Sequence, residues 1–238
     1  MKKIVHQLRN RLRDEGSEIR TGRWQGTNGP PVMVELLHIS EKIQMEQTVE
    51  DASISTNAKQ PWADLHFSER VQGFPTNPDP SHSIWARTTK DYMSDGEKFS
   101  HTYSERLWSK GLHTGIRFEI ADLNTLVQLL KKEPDTRQAY LPMFFPEDLT
   151  ASLKGERVPC SLGWQFIVRN NRLDVFYPMR SCDAMRHLHN DLYLANRLAI
   201  WVRDKANLKV DLGILHFVAT SLHCFKQDID IYNRGLIR

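Results

Sequence analysis

An α+β fold is predicted by three stretches of this sequence. "WQFIVRNNRLDVFYPMR" (164–180) alternates apolar and polar residues on both sides of Asn170–Asn171. An Asn pair tolerates the positive φ of a tight turn, so the stretch reads as a β-hairpin. "DLYLANRLAIWVRDKA" (191–206) sets Leu192, Ala195, Leu198, Ala199 and Val202 on one helical face, the side to be buried. "LGILHFVATSLHCF" (212–225) then returns to a strand pattern. Long strands mixed with a few buried helices give the α+β class.

The remaining elements follow from the same rules. "MKKIVHQLRNRLRDEG" at the start is basic, with charges interrupting its apolar residues. It therefore lacks the apolar core of a signal peptide and reads as an amphipathic surface helix. Residues 51–83 are rich in Ser, Asn and Pro and read as mostly irregular connection. "DLNTLVQLLKKEPDTR" (122–137) begins on Asp122 as an N-cap, and Leu123, Leu126, Val127 and Leu130 follow at helical spacing. Pro134 and Asp135 end that helix. With 238 residues and no internal repeat, one domain over 1–238 is expected.

Composition narrows the function. Hydrophobic residues make up 40% and charged residues 26%, ordinary for a globular chain. No apolar run approaches the roughly 20 residues that span a bilayer, so no membrane partner is expected. A formal charge of +3 is too small to argue for nucleic acid. Cys160, Cys182 and Cys224 are odd in number and follow no disulfide or zinc spacing, which fits a reducing, cytoplasmic setting. No metal is expected, because Cys182, His187 and His189 lack a second pair at ligand spacing.

The chemistry-bearing residues cluster between 157 and 198. Cys160 follows Pro159 and precedes a strand; it is either a small buried hydrophobe or a nucleophile whose thiolate a cation stabilises. Arg180, on the returning strand of the hairpin, can supply that cation. Arg137 and Arg180 have guanidinium forks suited to phosphate oxygens, and Ser181 adds a hydroxyl donor. Asp191 stands at a helix start, where an acid is ordinarily a cap. Together these residues suggest a nucleophile beside a planar, anionic ligand.

At this point the spacing resembles the thymidylate synthase superfamily over roughly residues 60–230. "PC" at 159–160 is followed by "RSCD" at 180–183, by Asp191 eight positions after Asp183, and by "LHCF" at 222–225. "EPDTRQ" (133–138) and "YSERLW" (103–108) resemble two further signatures of that family. The resemblance implies a twisted mixed sheet packed by helices, with a sheet face forming a homodimer interface. It implies that Cys160 adds to carbon 6 of a pyrimidine nucleoside monophosphate, whose carbon 5 then takes the one-carbon unit of methylenetetrahydrofolate. It implies that Arg180, Ser181 and Arg20 hold the phosphate, with Arg137 donated across the dimer. His223 would lie near the sugar, Asp183 and Trp85 beside the folate, and Glu69 and Tyr103 would serve proton transfers.

One departure bears on the base. The synthases place an asparagine where this chain has Asp191. A carboxylate accepts from the exocyclic amine of cytosine but cannot donate to uracil, and each mismatched buried group costs on the order of 1–3 kcal/mol. The ring nitrogen beside that amine is also an acceptor, so one proton must be shared between base and Asp191. The same change marks the deoxycytidylate hydroxymethylase branch, in which water rather than hydride completes the reaction. Met179, Ser161 and the five-residue step from Tyr103 to Trp108 point the same way. The expected activity is a dCMP or CMP hydroxymethylase. A dUMP-methylating synthase and a non-catalytic nucleotide-binding relative are the rivals. Gln138 and Phe225 depart from the family pattern at the phosphate and the sugar. The chain ends at Arg238, soon after "HCF", so a short or absent C-terminal lid is expected.

Overall fold

A computed structural model describes residues 1–20, 32–84, 93, 98–108 and 121–236. Its centre is a six-stranded mixed sheet. The strands are β1 (Ser17–Arg20), β2 (Val32–Gln44), β3 (Tyr140–Pro142), β4 (Gly163–Arg169), β5 (Arg172–Asp183) and β6 (Asp211–Phe225), in spatial order β1-β2-β6-β5-β4-β3. All neighbours run antiparallel except β5 and β6, which are parallel. The predicted hairpin is present: Asn170 and Asn171 take φ of 50° and 59° between β4 and β5.

Eight α-helices pack around this sheet among the described residues: α1 (Lys2–Glu15), α2 (Val49–Thr56), α3 (Trp62–Arg70), α4 (Tyr103–Leu107), α5 (Leu123–Lys132), α6 (Asp148–Leu153), α7 (Leu188–Lys205) and α8 (Lys226–Asn233). As the sequence predicts, Asp122 caps α5 by accepting from Thr125 N at 3.0 Å, and Leu123, Leu126, Val127 and Leu130 are buried. The predicted face of α7 is buried too, but the helix begins at Leu188, so Asp191 lies in its first turn rather than at its cap.

Residues 51–83 are not the irregular connection expected. They hold most of α2, all of α3 and a 3-10 turn at Pro80–Ser83. Thr48 caps α2, accepting from Asp51 N at 3.1 Å, and Asn57 closes it in the left-handed conformation. These helices are too short to show a periodic apolar stripe, and packing on α7 stabilises them instead.

One face of the sheet is core: Leu173, Val175, Tyr177 and Met179 of β5 and Leu215, Phe217 and Ala219 of β6 point into it. The opposite face, with Ile167, Phe176, Pro178, Ile214 and Val218, is half-buried. β5 carries an irregularity between Leu173 and Val175, where the Asp174 carboxylate accepts from Ile214 N at 2.6 Å. Gly213 is required there, since a Cβ would meet Asp174 Oδ1 at 1.9 Å.

Helix α1 does more than cover surface. Val5, Leu8 and Leu12 are buried, and Arg9 donates to Ala184 O (2.9 Å) and Met185 O (3.0 Å), pinning the turn between β5 and α7. Leu8 is 0% exposed. Leu8→Ala is expected to lower unfolding free energy by about 2–5 kcal/mol. Urea denaturation measures the loss; a shift under about 1 kcal/mol would mean α1 is not part of the cooperative core.

Candidate active site

Cys160 is brought to β5 by a short antiparallel pairing that precedes β4. Ser161 bridges Met179, and Arg180 N donates to Cys160 O at 2.9 Å. The Arg180 side chain folds back over the same segment, with Nε on Pro159 O (2.9 Å) and Nη2 on Val158 O (3.1 Å). Its Nη2 thereby lies 3.9 Å from Cys160 Sγ, and Ser181 Oγ lies 3.6 Å from that sulfur. Cation, hydroxyl and half-exposed thiol are thus held together, as the sequence predicts.

Two phenols flank the thiol segment. Tyr103 meets Ser161 through its hydroxyl at 3.1 Å, and Ser161 Oγ lies 2.8 Å from the Tyr177 hydroxyl. Burial pushes the Tyr103 phenol above its usual value, and the negative charge of Cys160 pushes it further. Burial does the same to Tyr177, which stacks on Trp164 at 5.2 Å. Both stay protonated at neutral pH, and Tyr103 Oη also accepts from Ser161 N at 3.4 Å.

Asp191 approaches from α7, accepting from Cys182 Sγ at 3.6 Å. Burial raises its carboxyl above the ordinary range, opposed by His187 and Arg70. Asp183, at the end of β5, uses Oδ1 to accept from Met185 N (3.0 Å) and Arg186 N (2.9 Å). Its Oδ2 is buried with no hydrogen-bond partner among the described residues. His223 faces Asp183 across the β5–β6 register, and Ala184 N donates to His223 O at 2.8 Å.

Other expected site residues stand apart. Arg20 ends β1 and Arg137 follows α5; both are exposed, and neither side chain bonds to another described residue. Trp85 lies outside the described residues. Glu69 is buried in α3, accepting from Ser81 N, from Ser81 Oγ (2.7 Å) and from His66 Nδ1 (3.3 Å).

The sequence reading missed what stands next to Glu69. His66 Nε2 accepts from Arg70 Nη2 at 3.0 Å, and the Arg70 guanidinium lies 4.1 Å above the Tyr103 ring. Burial, then Arg70, lowers His66 to about 4, so the ring is neutral and its proton sits on Nδ1, toward Glu69. A signal was present: "HFSER" places His66, Glu69 and Arg70 at i, i+3 and i+4, one face of a helix.

His66, Glu69 and Asp79 also place potential ligand atoms within 4.8 Å of one another. The Glu69 oxygens and both His66 nitrogens are already hydrogen-bonded, and a guanidinium touches the group, so the cluster is a hydrogen-bond relay rather than a cation site. Burial raises Asp79 from its ordinary 3.8 to about 6, against the Thr76 and Ser104 hydroxyls that it accepts from. With the folded value above the unfolded one, this stabilisation is complete below the ordinary value and is lost as pH rises through about 6. Asp79→Asn keeps an acceptor and removes the titration. Its stability relative to wild type is expected to climb by about 3 kcal/mol between roughly pH 4 and 7.5. Parallel stability curves for the two proteins would count against this assignment.

Comparisons with known proteins bear on the family and the fold. The family model described as Thymidylate synthase matches residues 74–238. A deoxyuridylate hydroxymethyltransferase of Bacillus phage SP01 is 29% identical over 153 residues, covering 58% of this chain and 36% of the relative. A thymidylate synthase of Buchnera aphidicola subsp. Acyrthosiphon pisum (strain Tuc7) is 25% identical over 156 residues, 66% of this chain and 55% of the relative. The chain thus spans between about a third and just over half of these relatives' length. The solved structure of thermostable thymidylate synthase A from Bacillus subtilis superimposes with a TM-score of 0.72 at 16% identity, over 99% of this chain and 83% of that one. That likeness establishes the shared fold. With the model match covering well over half of its length, the chain belongs to the thymidylate synthase family.

Proposed function

We propose that this protein transfers a hydroxymethyl group to carbon 5 of a cytosine nucleoside monophosphate. The observation that carries the reading is the half-exposed Cys160 thiol, held within 3.9 Å of Arg180 and 3.6 Å of Ser181. The thiolate adds to carbon 6 of the ring, and carbon 5 becomes the nucleophile. Methylenetetrahydrofolate, when bound, supplies the one-carbon unit. Asp183 suits that cofactor, since its buried, unpartnered Oδ2 is an acceptor waiting for an N–H donor such as a pterin carries.

Arg180 and Ser181 hold the phosphate. Carbon 5 would lose its proton to a water oriented by the Tyr103 hydroxyl as the one-carbon unit parted from the folate nitrogen. Water would then add its hydroxyl to the exocyclic carbon and release a proton, and the bond from Cys160 to carbon 6 would break to return the thiolate. His223, aligned with Asp183, serves the sugar edge. In one protomer the Arg137 side chain is exposed. A homodimer through the half-buried sheet face of Ile167, Phe176, Pro178, Ile214 and Val218 would bring Arg137 of the partner subunit to the phosphate.

Asp191 is the ground for cytosine. The name of the phage relative favours the second reading, a uracil nucleotide hydroxymethylated in the same way. Incubation with CMP, dCMP or dUMP plus methylenetetrahydrofolate, followed by mass spectrometry, decides between them. A hydroxymethylated cytosine nucleotide is expected. Modified dUMP alone would establish the uracil reading, and no product with any nucleotide would remove the enzymatic one.

A further inference from the structure

Cytosine shows two neighbouring groups on the edge that Asp191 faces: an amine that donates and a ring nitrogen, N3, that accepts. A carboxylate satisfies the first and leaves the second without a donor. Arg70 stands at the same site. It is 6% exposed, and its guanidinium lies 4.1 Å above the ring of Tyr103, whose hydroxyl meets the residue after Cys160. Its one hydrogen bond among the described residues goes from Nη2 to His66, and its Nε is buried with no partner. No described carboxylate lies within ion-pair distance, yet its charge acts on Asp191, Tyr103 and Tyr177. A buried guanidinium with donors to spare is costly unless a ligand meets it.

We propose that Arg70 is a specificity residue, whose guanidinium donates to N3 of cytosine while Asp191 accepts from the exocyclic amine. This rests on the cytosine-nucleotide reading above and supplies a donor to N3 in place of the proton that base and Asp191 would otherwise share. Uracil is refused twice, because its carbonyl meets the carboxylate and its N3–H meets the guanidinium. His66 and Glu69 are positioning residues: neutral His66 fixes the plane of Arg70, and Glu69 fixes the tautomer of His66.

The test compares CMP, UMP and 3-deazacytidine monophosphate, which replaces N3 by C–H, by calorimetric titration. Wild-type protein is expected to bind the deaza analogue about 10- to 100-fold more weakly than CMP. Arg70→Gln should lose a similar factor for CMP and little more for the analogue, and its CMP affinity should become greater at low pH, where a proton replaces the missing donor. Equal wild-type affinity for CMP and the analogue overturns the proposal and requires no variant to fold. An Arg70→Gln protein weakened equally for CMP and UMP overturns it too, and assigns Arg70 a structural role. A wild type that prefers UMP, or binds neither, instead sinks the cytosine reading and this inference with it.

Discussion

Cys160→Ser is expected to reduce turnover by about 10⁴-fold or more while nucleotide affinity stays within about threefold. The rate falls because a hydroxyl ionises far less readily than a thiol, and one guanidinium 3.9 Å away cannot make up the difference. Affinity survives because the closest hydrogen bonds of Arg180 go to Pro159 O and Val158 O, not to sulfur, so the cation keeps its place. Single-turnover mass spectrometry and calorimetric titration read the two quantities separately. A variant retaining a tenth of the wild-type rate would remove Cys160 from the covalent role.

Asp191→Asn should move base preference toward uracil by roughly 100-fold, judged by the ratio of kcat/KM for UMP or dUMP to that for the cytosine nucleotide. An amide can donate to the uracil carbonyl, which a carboxylate cannot do, so one of the two refusals is lifted while the Arg70 guanidinium still meets N3–H. The substitution also removes a carboxyl that burial already disfavours in its charged form, so the variant is expected to fold at least as stably. An unchanged preference ratio in a well-folded variant would show that the base edge is read elsewhere.

How much of this was legible in sequence depended on spacing. The Asn170–Asn171 hairpin, the Asp122 cap and the long α7 and β6 were readable because each is long or carries a turn residue with a mechanical reason to be there. Helices α2 and α3 were not readable: eight and nine residues give too few turns for a stripe, and their order comes from α7. The Cys160–Arg180–Ser181 group was legible because hairpin pairing sets strand partners at fixed intervals. Arg70 was overlooked because a lone arginine in a Ser- and Pro-rich stretch reads as solvated surface. Only tertiary packing reveals that it is buried against Tyr103.

The parallel pairing of β5 with β6 requires the intervening chain to cross over the sheet, and α7 makes that crossing. The turn that launches it is locked by Arg9 on Ala184 O and Met185 O, and by Asp183 on Met185 N and Arg186 N. Strand end and helix start are therefore held like the two jaws of a caliper, with Arg180 and Ser181 on one and Asp191 on the other. A single residue inserted in α7 just after Asp191 would turn that side chain by about 100° relative to the buried face of the helix. Length changes there would part the carboxyl from the strand end it now faces.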